Sequence, residues 1–358
     1  MSDTQSAAET EAPADAEILL NRFSIQVATV NGSGSQTANN TLLRSLFQMG
    51  LPVCGKNLFP SNIQGLPTWF TIRVDEDGHV ARRRDVDLLV LMNPETAERD
   101  VLEVRPGATV VHEASLDVSH LRDDLRYYAV PFNKMVKEVC EPVGLRKLVA
   151  NMIYVGVVAE LIGIEPDEVE RALHKAFKRK PKALGLNRDA VLAGREWVEE
   201  NVEQKPPLRV ERRDLTAGKI LMDGNTAAAI GSIFAGLTVL SWYPITPSSS
   251  LAEVSTALAK RFRTDRESGR TTVAVVQAED ELAAVGMALG AGWAGARSMT
   301  ATSGPGISLM AEFVGLGYFA EIPTVIFNVQ RTGPSTGLPT RTMQGDLIST
   351  AYLSHGDS

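Results

Sequence analysis

The chain has 358 residues, of which 44% are hydrophobic, and its formal net charge at pH 7 is −7. A chain of this length can bury two hydrophobic cores, and its negative charge argues against a nucleic-acid partner, because phosphate neutralisation requires a concentrated cationic surface. No apolar run reaches membrane-spanning length, so the sequence predicts a soluble, cytoplasmic protein without a membrane partner.

Residues 1–18 are predicted to be a disordered tail. Their first sixteen residues are polar, Ala-rich and acidic, without the basic and apolar regions of a signal peptide. The two cysteines, Cys54 and Cys140, have no Cys or His nearby at metal-ligand spacing, and an iron–sulfur cluster needs about four thiolates. The sequence therefore predicts two buried cysteines and no metal site held by this chain alone.

A Gly-rich turn follows the first predicted strand. The strand Phe23–Val30 runs into Asn31-Gly32-Ser33-Gly34, and residues Leu42–Met49 then show helical spacing of apolar side chains. This is the context of a dinucleotide-binding fingerprint, but Thr37 stands where the third glycine would be. The turn has two interpretations, an anion-binding loop or a purely structural or interface turn.

Residues 19–204 are predicted to form one α/β domain. The continuous apolar run Val86–Leu91 is typical of a strand buried on both faces of a parallel sheet. Two helices are expected at about Leu145–Leu161 and Pro166–Phe177. The basic cluster Lys175–Lys182 is interpreted either as a solvated helix end or as a contact for an anionic cofactor or partner.

A change in composition separates this domain from a second one. An amphipathic helix is expected at Asp189–Glu203, and the Pro-rich, charged residues that follow predict a linker over 205–218. The second domain, 219–358, begins with a helix of small residues. Its four predicted strands are Leu237–Tyr243, Thr271–Val276, Arg297–Thr302 and Pro323–Gln330.

The turn Tyr243-Pro244-Ile245-Thr246-Pro247-Ser248 joins a predicted strand to a helix. A Pro-x-x-Pro segment can continue neither a helix nor a central strand, so a rigid polar corner is expected. A hydroxyl held between two prolines loses little entropy on binding, which suits Thr246 as a donor to a substrate carboxylate or carbonyl. Turn geometry alone is the alternative interpretation.

The next three predicted strands end in groups that carry chemistry. They end in the acidic segment Gln277–Glu281, in the tight turn Ser303–Gly306 and in Arg331. Ligands of open α/β sheets bind at the carboxyl ends of strands, so these groups are expected to share one site. Acids in a first helical turn are also ordinary complements of the helix dipole, which is the alternative for Gln277–Glu281.

Five motifs of the second domain occur in a recognisable order: Gly224–Ala227, Tyr243–Pro247, Gln277–Glu279, Thr302–Gly306 and Asn328–Arg331. In this order and spacing they resemble the pyrimidine-binding domain of 2-oxoacid:ferredoxin oxidoreductases, which are thiamine-diphosphate, iron–sulfur enzymes. The first domain resembles the gamma subunit of that family. The chain thus looks like a gamma–alpha fusion of the KorA type. The resemblance implies a Rossmann-like gamma domain followed by an incomplete parallel-sheet domain.

The resemblance also implies roles for single residues. Glu279 matches the carboxylate that hydrogen-bonds N1′ of the cofactor's aminopyrimidine and tunes its protonation. Thr246 and Arg331 match the positions that hold the 2-oxoacid, the hydroxyl toward the carbonyl and the cation against the carboxylate. The cofactor-binding residues implied by the same motifs are Tyr243, Pro244, Ile245, Glu279, Ser303 and Gly304.

Two parts of a complete site are missing from this sequence. It has neither the Gly-Asp-Gly-type segment that binds the diphosphate and its Mg²⁺ nor the cluster cysteines, so the resemblance implies a beta subunit that supplies Mg²⁺ and a [4Fe-4S] cluster. Thiamine diphosphate would be shared with that subunit, coenzyme A would be the co-substrate, ferredoxin the acceptor and (αβ)₂ the assembly. The chain is expected to be an N-terminal portion of such a subunit or an unusually short member.

The expected reaction is the oxidative decarboxylation of 2-oxoglutarate with coenzyme A, giving succinyl-CoA and CO₂ and passing electrons to ferredoxin. Thr246 and Arg331 recognise only what all 2-oxoacids share, so pyruvate or another 2-oxoacid stays open. Arg341 is the nearest further cation for a distal carboxylate. A non-catalytic assembly or regulatory protein with a degenerate cofactor fold is the alternative from another functional class.

Overall fold

A computed structural model describes residues 17–58, 64–178, 180–331 and 345–355. The chain divides into two compact units, Met1–Leu221 and Met222–Ser358. Each unit has its own sheet covered by helices, so the α/β class predicted from the sequence is confirmed. No helix within the described ranges is both long and apolar enough to cross a membrane.

One mixed sheet of six strands carries the first unit. The strands are β2 Arg22–Val30, β3 Val53–Leu58, β4 Pro67–Asp75, β5 Leu88–Leu91, β6 Thr109–Glu113 and β7 Arg126–Val130. Their order is β3-β4-β2-β5-β6-β7; β2, β5, β6 and β7 are parallel, and β3 and β4 form an antiparallel edge. The strand after the first helix is therefore an antiparallel edge strand rather than the second parallel strand of a dinucleotide fold.

Helices cover both faces of this sheet, and a short 3₁₀ turn spans Ser119–Leu121. They are α1 Ser35–Gln48, α2 Ala97–Glu103, α3 Phe132–Val139, α4 Val143–Ile162, α5 Pro166–Phe177 and α6 Pro181–Asn201. Side chains alternate along β5, so Leu88 and Val90 pack into the core with α1 and α3–α6, whereas Leu89 and Leu91 pack with α2. Helix α6 begins eight residues before the prediction, because Pro181 suits its first turn.

The segment predicted to be a linker is attached to the first unit. Strand β8, Leu208–Arg209, pairs in parallel with β1, Leu19–Leu20, and Leu208 is buried in the core of this unit. Further along, the Arg213 amide donates to the carbonyl of Met49 and the Leu215 amide to that of Gly50. The sequence missed these contacts because a two-residue strand has no periodicity to detect.

A four-stranded parallel sheet in the order β10-β9-β11-β12 forms the second unit. Its strands are β9 Val239–Trp242, β10 Ala274–Gln277, β11 Ser298–Thr302 and β12 Val325–Asn328. Its helices are α7 Gly224–Phe234, α8 Ser249–Phe262, α9 Glu281–Trp293, α10 Gly304–Phe319 and α11 Leu347–Ala351. Helices α7 and α8 pack on one face, and α9 and α10 share a separate core on the other.

Two local predictions in this unit are corrected. The strand predicted from Thr271 begins at Ala274, because Thr271 instead forms an isolated antiparallel bridge with Thr264. The predicted tight turn Ser303–Gly306 is the start of a helix, since α10 begins at Gly304 with Pro305 in its first turn. Proline is tolerated there because the first amides of a helix have no intrahelical acceptor.

Candidate functional site

The corner between β9 and α8 is fixed by hydrogen bonds around its second proline. The Thr246–Pro247 peptide bond is cis. Asn225, in the first turn of α7, donates its side-chain amide to the Pro247 carbonyl at 2.9 Å and to Ser250 Oγ at 2.7 Å. Ser248 Oγ donates to the Ile245 carbonyl at 3.0 Å. The corner is therefore a rigid platform, as its sequence predicted.

Three residues predicted for the site meet at this corner. Arg331 donates from Nη1 to the Thr246 carbonyl at 3.0 Å, and Ser303 Oγ donates to the same oxygen at 3.3 Å. The carboxyl ends of β9, β11 and β12 thus converge on Thr246. The contact uses the Thr246 backbone, which leaves its half-buried hydroxyl for another partner.

Arg331 is a partly desolvated cation. Burial lowers the pKa of its guanidinium, and the nearby Glu281 carboxylate acts in the opposite direction. Its Nε is buried without a hydrogen-bond partner. A guanidinium with unused donors at the end of a parallel strand is suited to bind a carboxylate.

The structure separates the two glutamates of the acidic segment. Glu279 lies exposed in the loop between β10 and α9, whereas Glu281 is the first residue of α9 and is only 9% exposed. Asp280 caps that helix by accepting a hydrogen bond from the Ala283 amide at 2.7 Å. The buried carboxylate that interacts with Arg331 therefore belongs to Glu281.

Sequence reasoning overlooked Glu281, although a signal was present. An aspartate followed by an apolar helical run is a helix N-cap, so the residue after Asp280 is already helical and can pack inward. Gly306 makes room for it: a Cβ at that glycine would lie 2.9 Å from Glu281 Cγ and would overlap Thr302 Oγ1. Glu281 thus occupies a cavity that only a glycine leaves open.

The remaining predicted site residues that the structure describes line or support the corner. Tyr243 and Ile245 are half-buried, and Pro244 is exposed. Gly304 is buried, and a Cβ there would overlap the Arg331 carbonyl and lie 2.9 Å from Asp346 Oδ2. Arg341 lies outside the described residues.

The glycines of the turn Asn31–Gly34 have structural causes. Gly32 and Gly34 have φ values of +81° and +84°, a region that favours glycine. A Cβ at Gly32 would lie 2.8 Å from Gln64 Cγ, and one at Gly34 would overlap Leu148. These contacts account for both glycines without a ligand, and anion binding at this turn stays a prediction.

The lysines of the basic cluster Lys175–Lys182 lie at the surface. The lysines at 175, 178, 180 and 182 are exposed, which fits either a solvated helix end or a contact for an anionic cofactor or partner.

Metal-ligating groups are scarce in the part of the chain that the structure describes. Within it, the one group of three potential ligands is Asp75, Asp77 and His79, in the first unit. Arg73 already forms an ion pair with Asp75 at 2.5 Å, which opposes the binding of a cation there. Cys140 is buried as predicted, whereas Cys54 is only partly buried.

The site therefore fits one end of thiamine diphosphate. A buried carboxylate at a helix start and a guanidinium whose Nε has no hydrogen-bond partner can serve an aminopyrimidine and a 2-oxoacid. The described residues of the second unit contain no cluster of ligands for the cation that would accompany a diphosphate. That end of the cofactor would need groups from outside these residues.

Two protein families match the two halves of the chain. Residues 24–197 match the family of pyruvate ferredoxin/flavodoxin oxidoreductases, and residues 230–355 match the thiamine-diphosphate-binding domain of pyruvate flavodoxin/ferredoxin oxidoreductases. The pair of domains, in this order, defines the class. The chain belongs to the 2-oxoacid:ferredoxin oxidoreductase family and has the domain order of its alpha subunits.

Individual relatives agree with this assignment. The chain is 32% identical over 378 residues to 2-oxoacid:ferredoxin oxidoreductase 1, subunit alpha, of Sulfurisphaera tokodaii, covering 94% of this chain and 59% of that protein. It is 47% identical over 137 residues to the 2-oxoglutarate synthase subunit KorA of Archaeoglobus fulgidus, covering 38% of this chain and 37% of that one.

A solved structure shares the fold over most of the chain. It is the 2-oxoglutarate:ferredoxin oxidoreductase from Magnetococcus marinus with 2-oxoglutarate, coenzyme A and succinyl-CoA bound, at 30% identity and a TM-score of 0.82. The match covers 94% of this chain and 57% of that one. The relatives that match nearly all of this chain are longer proteins, and the chain spans a little over half of their length.

Proposed function

We propose that this chain forms part of a 2-oxoacid:ferredoxin oxidoreductase, in which its second unit holds the aminopyrimidine of thiamine diphosphate and the 2-oxoacid. The observation that carries the proposal is the buried Glu281 carboxylate, which interacts with Arg331 beside the Thr246 corner. Partial burial strengthens electrostatic interactions at such a site. Proton sharing with an aminopyrimidine needs a carboxylate, and holding a 2-oxoacid carboxylate needs a cation.

Glu281 is the carboxylate that we assign to the cofactor, in place of Glu279. When bound, thiamine diphosphate supplies the electron sink for cleavage next to the 2-oxoacid carbonyl. Glu281 would share a proton with N1′ of the aminopyrimidine, and its burial excludes water that would compete for that hydrogen bond. Glu279 is exposed in this chain, so its predicted role is the alternative to be tested.

Arg331 and Thr246 would hold the substrate. The Arg331 guanidinium has one buried N–H without an acceptor and would donate to the 2-oxoacid carboxylate. The Thr246 hydroxyl, on the fixed corner, would donate to its carbonyl. Both side chains orient the substrate at little further entropic cost, because the corner is already rigid.

The substrate that we propose is 2-oxoglutarate, with coenzyme A as the acyl acceptor and ferredoxin as the electron acceptor. Support comes from the KorA relative and from the homologous structure whose ligands are 2-oxoglutarate, coenzyme A and succinyl-CoA. A beta subunit would supply Mg²⁺, the [4Fe-4S] cluster and the diphosphate site, in an (αβ)₂ assembly. Arg341 is proposed to bind the distal carboxylate, and pyruvate is the alternative substrate.

Two glutamine variants test the assignment of the carboxylate. The chain would be co-expressed with a beta subunit, and coenzyme A-dependent reduction of a one-electron dye would be measured with 2-oxoglutarate. We expect Glu281→Gln to lower kcat by about 100-fold or more, because it removes an acid–base group from the site. Glu279→Gln is the matched control, two residues away, and should stay within about threefold of the unmodified enzyme.

The reverse pattern, with Glu279→Gln inactive and Glu281→Gln active, would return the role to Glu279. No thiamine-diphosphate-dependent turnover with any 2-oxoacid would instead favour the non-catalytic assembly or regulatory protein. Turnover with pyruvate but not with 2-oxoglutarate would keep the reaction class and change only the substrate.

A further inference from the structure

A small polar cluster ties helix α11 to the end of β12, three residues before Arg331. Asn328 donates its side-chain amide to Asp346 Oδ2 at 2.6 Å and to Thr350 Oγ1 at 2.9 Å. The Thr350 hydroxyl in turn donates to the Asp346 backbone carbonyl at 2.7 Å. We name these three residues, Asn328, Asp346 and Thr350, the strand-end clamp.

The donor–acceptor pattern of the clamp allows only one orientation of the amide. A carboxylate accepts but cannot donate, and the Thr350 hydroxyl has already given its proton to Asp346, so both need a donor from Asn328. The amide nitrogen has two hydrogens, one for each partner. While residue 346 is an acid, the clamp therefore needs a donor at 328, and an acid at that position would set two carboxylates against each other.

Asp346 is an unusual component because it is buried without a cation among the described residues. Its residue is 5% exposed, its Oδ1 has no hydrogen-bond partner, and it forms no ion pair with the described residues. Burying a carboxylate with so few hydrogen-bond partners lowers the free energy of unfolding. Asp346 lies beside the strand end that carries Arg331, since a Cβ placed on Gly304 would lie 2.9 Å from Asp346 Oδ2 and would overlap the Arg331 carbonyl.

The clamp is continuous with the substrate side of the site. Asn328 pairs in register with Thr302 at the end of β11, and the Val329 amide donates to the Thr302 carbonyl at 2.9 Å. Only Gln330 then separates this anchored stretch from Arg331, whose Nη1 reaches the Thr246 carbonyl. Releasing Asp346 would free the β12 end on one side, and the guanidinium would then be held by its Thr246 contact and the nearby Glu281 carboxylate.

We propose that Asn328 and Asp346 are positioning residues for the 2-oxoacid, which act by fixing the backbone that carries Arg331. The proposal rests on the proposed function of Arg331 and adds two residues that do not touch the substrate. Their effect should fall on substrate binding, because a misplaced guanidinium meets the carboxylate poorly. A shift of about 1 Å in a binding group can cost about a hundredfold in rate.

An exchange of the two side chains tests the clamp. Asn328→Asp alone should raise KM for the 2-oxoacid about tenfold or more in the assembled enzyme, since two carboxylates at hydrogen-bonding distance repel each other. Adding Asp346→Asn restores a donor opposite an acceptor, and the Thr350 hydroxyl can rotate to donate to the new carboxylate at 328, so KM should return to within about threefold. Ser349→Ala is the matched control, because Ser349 Oγ bonds the Asp346 carbonyl in the same turn without reaching β12.

Hydrogen exchange on the chain alone gives a readout that needs no turnover. Amides of Leu347–Ala351 should exchange faster in Asn328→Asp and regain protection in the double variant. If the exchange pattern reverts but KM never moves, the clamp is merely structural and the positioning role is refuted. If exchange shows no rescue, the clamp itself is refuted. Absence of turnover in the unmodified enzyme would count against the proposed function alone.

Discussion

At the scale of single residues, the site depends on positions where a side chain is absent. Gly306 lets Glu281 and Thr302 lie in the space that a Cβ would fill, and Gly304 does the same for the Arg331 carbonyl. Both glycines belong to the first turn of α10. The start of this helix therefore packs closely against the Glu281 side chain and against the end of β12, which carries Arg331. The two glycines of this turn therefore allow α10 to approach Glu281 and Arg331 as closely as it does.

A methyl group at Gly306 should disturb the site from within. We expect Gly306→Ala to lower the free energy of unfolding of the second unit by about 1–3 kcal/mol, because overpacking forces neighbours to shift. It should also lower kcat, since Glu281 is one of those neighbours. Chemical denaturation and dye reduction measure the two effects.

Gly290→Ala is the matched control for that experiment. Gly290 is also in a helix of the second unit, but nothing lies within 4 Å of a Cβ placed there. Alanine should therefore be neutral or stabilising by up to about 1 kcal/mol. Equal stability and activity of the two variants would show that the cavity around Glu281 tolerates an extra methyl group.

At the scale of elements, helix packing in the first unit depends on two glycines that face each other. A Cβ at Gly156 of α4 would overlap the Val191 carbonyl of α6, and one at Gly194 of α6 would overlap the Ile153 carbonyl of α4. The two backbones therefore approach directly at this crossing. Such an approach is possible only where both helices lack side chains.

Replacing either crossing glycine should separate the helices. We expect Gly194→Ala to lower the free energy of unfolding of the first unit by about 1–3 kcal/mol or more, because the obstacle is backbone rather than a flexible side chain. Gly185→Ala, on the same helix with open space around it, should be neutral or stabilising. Circular dichroism during urea unfolding would compare them, and an unchanged midpoint for Gly194→Ala would refute close backbone contact.

The sequence predicted elements well where periodicity was long, and poorly where structure depends on partners. The strand at 22–30 and the helix at 166–177 were found almost to the residue, since apolar spacing reports burial. The start of α10 was read as a turn, because Gly-Pro-Gly resembles one until the helix behind it is known. Glu279 was predicted to be the site carboxylate and Glu281 is the buried acid of this segment, because a sequence shows the acids but not which one turns inward.

At the scale of the whole molecule, each unit has its own sheet and core, so their stabilities can respond to conditions separately.

One titratable group of the first unit, His112, should make the stability of that unit depend on pH. His112 is buried at the end of β6, packs edge-on against Tyr127, and its Nδ1 lies 3.0 Å from the Glu113 carbonyl. Burial lowers the pKa of His112 below its ordinary value of 6.5, with the Glu113 carbonyl and Asp117 opposing the shift.

A lowered pKa predicts loss of stability in acid. Above pH 6.5 the histidine is neutral in both states, and as the pH falls through 6.5 toward the folded-state pKa the unfolded chain binds the proton first, so the free energy of unfolding decreases. We expect the urea midpoint of the first unit to fall between pH 7 and pH 5, and to fall less in His112→Gln. Equal falls in both proteins would assign the acid sensitivity to other groups.

The pairing of β1 with β8 has a consequence for how the gene could be arranged. Leu19–Leu20 and Leu208–Arg209 lie side by side and run in the same direction, so the first and the last strand of the first unit are neighbours, and the chain then continues along this unit to Leu221. The core of the unit draws on residues from Leu19 to Leu221. A reading frame that ended after Leu221 would encode every residue of this core, and joining it to a second frame would require no new contact within the core.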